Sequence, residues 1–95
     1  MGTKPRLKPE RLAAKLLQIR IALGLSQTEM LYRLGIEDLI SYKQISKYET
    51  GKGEPMLVII LRYARVAGVS MDVLVDDEMD LPAKLPAKLK HSRQF

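Results

Sequence analysis

The stretch Gly24-Leu25-Ser26-Gln27, followed further on by Gln44-Ile45-Ser46-Lys47-Tyr48-Glu49-Thr50-Gly51, restricts the fold more than any other part of the chain. Ser26 with Glu29 makes a capping box, in which the hydroxyl and the carboxylate each satisfy one amide of a helix start. Leu25 and Met30 can staple the same start from either side of the cap. A helix is therefore predicted over about Gln27–Leu34, stopped by Gly35. Ser41 can cap the amides of Lys43 or Gln44, and Gly51 supplies a stop, which predicts another short helix over 41–50. Between the two, Ile36-Glu37-Asp38-Leu39-Ile40 forms a linker longer than a tight turn.

The flanking sequence supplies further helices. Residues 1–8, with Pro5 and the alternating cations Lys4, Arg6 and Lys8, read as a flexible basic arm. Pro9 suits a helix first turn. Leu12, Leu16, Ile19 and Leu23 recur at helical spacing, so a first helix is expected to run to about Leu23 and stop at Gly24. A loop over 52–55 leads to a fourth helix, Met56–Ala67, stopped by Gly68, and Ser70 is expected to cap a short fifth, Met71–Val75. Past Asp76-Asp77-Glu78, Leu81-Pro-Ala-Lys repeats at once as Leu85-Pro-Ala-Lys. Two prolines four apart forbid a regular helix, so 81–95 is expected to be an extended or disordered basic tail. The class predicted is all-α: a compact five-helix bundle over 9–80, between an arm and a tail.

Composition narrows the function. Cysteine is absent, which excludes a disulfide framework and a thiolate metal site and suits a cytoplasmic setting. No apolar run reaches the roughly 18 residues of a membrane span, and the charged N-terminus has no signal-peptide core. The net charge is +5, unevenly spread. Residues 1–55 carry ten Lys/Arg against six acids, residues 56–80 two against five, and residues 81–95 four against none. A basic front is expected where a protein meets phosphates, although solubility alone would explain the charge equally well.

The string Leu16-x-x-Ile19-Arg20-x-x-x-Gly24-Leu25-Ser26-Gln27 continues through Leu34-Gly35, Ile45-Ser46-x-Tyr48-Glu49-x-Gly51, Pro55, Ala64 and Gly68-Val69-Ser70-x-Asp72-x-Leu74. In this order it resembles the phage-repressor, Cro and Xre family of helix-turn-helix regulators, over about residues 12–76. The resemblance implies a five-helix bundle that binds double-stranded DNA, usually as a homodimer, and it implies no cofactor. Two departures stand out. The linker between the second and third helices carries about four extra residues near Ile36–Leu39, which lengthens a surface loop, tilts the third helix or adds a phosphate contact. Leu31 also stands where relatives often have Ala, at the close approach of those helices, and could push them slightly apart.

In that architecture the third helix lies in the major groove with its N-terminal residues toward base edges. The exposed positions expected to meet bases are Tyr42, Lys43, Ser46 and Lys47, through lysine donors to guanine, a versatile serine hydroxyl, and a tyrosine near a thymine methyl or a phosphate. Phosphate contacts are expected from Gln27, at a helix start that favours anions, and from Gln44, Thr50 and Lys52. Arg11, Lys15 and the arm cations are weaker candidates, with solvated surface charge an equally good account. Arg20 shares a face with Leu16 and Leu23, and the resemblance pairs it with Glu49 in a partly buried ion pair that fixes the third helix. Met30, Leu34, Ile45 and Tyr48 are expected in the core.

The fourth helix is too apolar for one buried face, since Met56 through Leu61 is continuous. With Leu57, Ile60, Leu61 and Ala64 given to the core, Val58, Ile59 and Val66 remain for a second surface, expected to be a symmetric dimer contact. The competing expectation is that Leu81, Leu85 or Leu89 folds back over it.

The leading functional expectation is a sequence-specific transcriptional regulator. An antitoxin whose tail wraps a toxin, and an adaptor that binds proteins through the fourth helix or the tail, are the alternatives. Enzyme chemistry is not expected: the single histidine, His91, lies in the tail without a cysteine or carboxylate cluster beside it. Asp72, Asp76, Asp77, Glu78 and Asp80 lack the ordered spacing of a calcium loop, so no metal is expected.

Overall fold

A computed structural model describes residues 8–86, which form five α-helices: α1 Leu12–Ala22, α2 Gln27–Leu34, α3 Tyr42–Thr50, α4 Leu57–Ala67 and α5 Met71–Val75. The described residues include no strand. Expectations for Lys4, Arg6, Leu89 and His91 fall outside the described residues.

Local signals set the ends of α2 and α3. The Ser26 hydroxyl accepts the Glu29 amide at 3.0 Å, while the Glu29 carboxylate accepts the Ser26 amide at 2.8 Å. The resulting hydrogen bonds hold the Glu29 carboxyl below its ordinary range. At the far end Gly35 takes φ +72°, a left-handed conformation that costs a Cβ-bearing residue strain. Ser41 caps α3 by accepting the Lys43 amide at 3.3 Å, and Gly51 closes the helix at φ +79°.

The core gathers one face of each helix: Leu12, Leu16 and Ile19 from α1, Met30, Leu31 and Leu34 from α2, Ile45 and Tyr48 from α3, Ile59, Ile60, Tyr63, Ala64 and Ala67 from α4, and Leu74 from α5. Helix α3 packs against both α1 and α2, while α4 bridges α1, α2 and α5. Leu31 is buried within this core.

Four expectations are corrected. Ile59 is 3% exposed and belongs to the core, whereas Leu57 is 71% exposed; α4 is rotated from the expected phase because Tyr63, Ala64 and Ala67, three and four residues on, bring Ile59 and Ile60 inward. Leu85 is 3% exposed and Leu81 packs against the core, so the packed unit continues past residue 80 into the segment expected to be extended or disordered. Ser70 makes no side-chain cap. Helix α1 begins at Leu12, later than Pro9 indicated, because its cap arrives from elsewhere in the chain.

That cap is Asp77. Its carboxylate accepts the Glu10 amide at 2.9 Å and the Arg11 amide at 3.0 Å. Arg11 in turn donates to the Asp77 carbonyl at 2.7 Å and the Met79 carbonyl at 3.3 Å, and pairs with the Asp80 carboxylate. In the opposite direction, Lys15 Nζ donates to the Val73 carbonyl at 2.8 Å and the Asp76 carbonyl at 2.9 Å. The start of α1 and the end of α5 thus cap each other. Arg11 and Lys15 are both engaged in this clasp, and the burial of Lys15 removes it from the expected phosphate contacts.

Candidate nucleic-acid interface

Helix α3 divides cleanly by face. Ile45, Tyr48 and Glu49 are buried; Tyr42, Lys43, Lys47 and Thr50 are exposed, and Gln44 and Ser46 are half-buried. Positions 42, 43, 46, 47 and 50 are spaced so that they share one side of a helix. Its inner side is held by apolar contact and by charge. Arg20 grips Glu49 with two parallel bonds, Nε to Oε2 at 2.7 Å and a terminal nitrogen to Oε1 at 3.0 Å, and its other terminal nitrogen donates to the Leu25 carbonyl at 3.0 Å. The glutamate side chain is 3% exposed and the arginine 17%. The hydrogen bond to Glu49 raises the Arg20 pKa against the opposing effect of burial.

Gln27 joins the same group, donating from Nε2 to Glu49 Oε1 at 3.2 Å. Its side chain is thereby tied back at the first residue of α2. Sequence reasoning did not foresee this bond. The signal available was positional: a helix-starting Gln beside an Arg that already reaches back to Leu25.

Other expected phosphate donors differ in readiness. The Thr50 hydroxyl donates backwards along α3, to the Ser46 carbonyl at 3.1 Å and the Lys47 carbonyl at 3.3 Å, so its one proton is engaged. Gln44 turns toward the loop after α3; a Cβ at Gly53 would stand 2.9 Å from Gln44 Nε2, the mobile end of that side chain. Lys52 lies exposed just beyond the α3 stop. Lys43, Lys47 and Lys52 enter none of the ion pairs found among the described residues. Tyr63 lies fully buried behind the pair, with a hydroxyl that has no hydrogen-bond partner among the described residues. Burial above all, and next the charge of Glu49, push its phenol above the ordinary range.

The expected dimer residues do not form one surface. Val58 is exposed, Val66 half-buried against the core and Ile59 buried. The exposed apolar residues of α4 are instead Met56, Leu57 and Val58, the cap and first turn. No group of three or more His, Asp or Glu side chains among the described residues could hold a metal ion, and no described helix is long and apolar enough to cross a membrane.

Two short helices, the second resting its inner face on the bundle and offering its outer face to solvent, define a helix-turn-helix DNA-binding protein. The sequence model of the helix-turn-helix family matches residues 16–74, more than half of the chain, and the chain belongs to that family, in its Xre, Cro and lambda-repressor-like form. The family is one of DNA-binding regulators and not of enzymes. No curated protein and no solved structure gives a significant match.

Proposed function

We propose that the chain is a sequence-specific transcriptional regulator that reads the major groove with α3 and acts as a homodimer. The observation that carries this reading is the division of α3: its inner face is locked through Ile45, Tyr48 and the Arg20–Glu49 pair, while Tyr42, Lys43, Ser46 and Lys47 face outward. A helix fixed this way meets a groove without first ordering its side of the interface. Tyr42, Lys43, Ser46 and Lys47 address base edges, and Lys52 with the amide end of α2 at Gln27 addresses phosphates. Thr50 contributes secondarily, because its hydroxyl proton is engaged within α3, and Gln44 does so from a half-buried position.

For the homodimer, the first turn of α4 replaces the surface expected around Ile59. Three consecutive exposed apolar residues, Met56, Leu57 and Val58, support a symmetric contact there. Readings that assign the tail to a toxin or another partner lose part of their material, since Leu81 and Leu85 pack on the chain's own core.

A binding selection from random duplexes at physiological salt, using the full chain, tests the proposal. The expected result is a short palindromic motif with half-sites about one helical turn apart. Enrichment no better than that of a charge-matched control protein would overturn it.

A further inference from the structure

The turn that leads into α3 is pinned at its ends and apolar at its tip. Ile36 is buried, Ile40 packs against the core, and the Ile36 carbonyl accepts the amides of Leu39 at 2.9 Å and Ile40 at 3.2 Å. Between these anchors Leu39 is held out at 72% exposure, and no large apolar side chain among the described residues is more exposed. The structure gives it no intramolecular role in the core, and its backbone hydrogen bonds fix where it stands.

Its location gives the exposure a meaning. Leu39 stands two residues before the Ser41 cap of α3 and three before Tyr42, so its Cα lies within about 11 Å of Tyr42 along the chain. The leading end of this helix is the part that faces base edges in the major groove. Leu39 has no donor or acceptor beyond its backbone, and the one apolar group that distinguishes a base pair in that groove is the thymine 5-methyl. Glu37 and Asp38, exposed on the same turn, repel phosphates, so the turn contributes through base edges and not through backbone charge. The polar readers Lys43, Ser46 and Lys47 follow further along the helix.

We infer that Leu39 is a specificity-determining residue that reads a thymine methyl at the edge of the half-site faced by the start of α3. The inference rests on the proposed reading of the groove by α3. It predicts a required thymine, flanked by positions that the α3 lysines read.

The test uses the full chain and the duplex recovered from the selection, with each thymine replaced in turn by deoxyuridine, which removes only the methyl. Wild type should bind one uracil-substituted site about four-fold more weakly, the worth of one buried methyl group. Leu39→Ala should bind the thymine and uracil forms of that site equally, with an unchanged Tm, because the side chain is outside the core. Lys43→Ala should keep the wild-type preference for thymine. Equal binding of thymine and uracil at every position by wild type, or a preference that survives in Leu39→Ala, would overturn this assignment while leaving α3 as the reader. Failure to recover any motif would instead overturn the groove reading, and this inference with it.

Discussion

Two groups of cations in this small bundle have opposite fates. At the pole where α1 meets α5, Arg11 and Lys15 are consumed by carbonyls and carboxylates, and Lys15 is 1% exposed. On the outer side of α3 and just beyond it, Lys43, Lys47 and Lys52 stand in solvent outside any ion pair among the described residues. Lysine occurs in both groups, so residue type alone does not mark a phosphate contact. What separates the groups is the supply of acceptors. The chain end after α5 brings Asp76, Asp77 and Asp80 to the first pole, while α3 has spent its one acid, Glu49, inward on Arg20. The first group builds the fold, and the second stays in solvent, where the proposed function gives it to DNA.

If that contrast is right, the largest effect should come from the inward acid. Glu49→Ala leaves Arg20 partly buried without its partner and should cost about 3–5 kcal/mol in denaturant unfolding. A loss below about 1 kcal/mol, the range of an exposed ion pair, would show that α3 is held by apolar contacts alone. Next comes Lys15. Lys15→Met keeps the apolar stem but strips the donors from the Val73 and Asp76 carbonyls, and should cost about 1–3 kcal/mol. Lys43→Met should change stability by less than about 0.5 kcal/mol. Equal effects of the two would dissolve the distinction between a structural and an available lysine.

Binding measurements sharpen the same contrast on the side of the available group. Lys43→Ala should relax preference at one base position by about 1–3 kcal/mol, while Lys52→Ala should weaken all sequences alike and make the salt slope shallower by about one. Uniform losses from both, across a site library, would move Lys43 from the bases to the phosphates.

Much of the bundle was legible because its signals are local. A serine, a glutamate three residues on and a glycine at the end mark α2 whatever surrounds it, and the same holds for Ser41 and Gly51 around α3. The phase of α4 was not read correctly because six apolar residues in a row carry no period; Tyr63, Ala64 and Ala67 held that information a turn later. The burial of Lys15 was also readable, since it falls between Leu12 and Leu16 on the α1 stripe that continues to Ile19, yet its acceptors lie some sixty residues away. Long-range partners of this kind, Asp77 on the start of α1 above all, depend on how helices meet and not on neighbouring sequence. Leu85 illustrates the same limit: its prolines speak against a helix, but they say nothing about burial.

A smaller effect concerns the space behind the locked face of α3. The Tyr63 hydroxyl is buried without a partner among the described residues, so Tyr63→Phe removes an unsatisfied polar atom and should be neutral or stabilising by about 1 kcal/mol. Destabilisation by a similar amount would mean that the hydroxyl is bonded within the Arg20–Glu49 network, and that the network extends deeper than the ion pair.

The gentlest probe is acid, directed at the clasp between α1 and α5. The amides of Glu10 and Arg11 hold the Asp77 carboxyl below its ordinary value of 3.8, and the hydrogen bond from Arg11 does the same for Asp80. Folding therefore favours the ionised forms, so the contribution of both groups is complete above their ordinary value and is lost as pH falls through the depressed ones. Thermal unfolding followed downward from neutral pH should show Tm declining first as pH approaches 4.5, the ordinary value of the likewise depressed Glu29, and more steeply below 3.8, where Asp77 and Asp80 add their share. Asp77→Asn retains one acceptor oxygen but no charge and should start from a lower Tm at neutral pH, with a shallower decline below 3.8. If the two profiles run parallel, Asp77 caps α1 by geometry alone and its charge adds nothing. Because both carboxylates bond to the start of α1, their share of the acid-sensitive stability should leave the effect of Lys43→Ala on sequence preference unchanged wherever the chain remains folded.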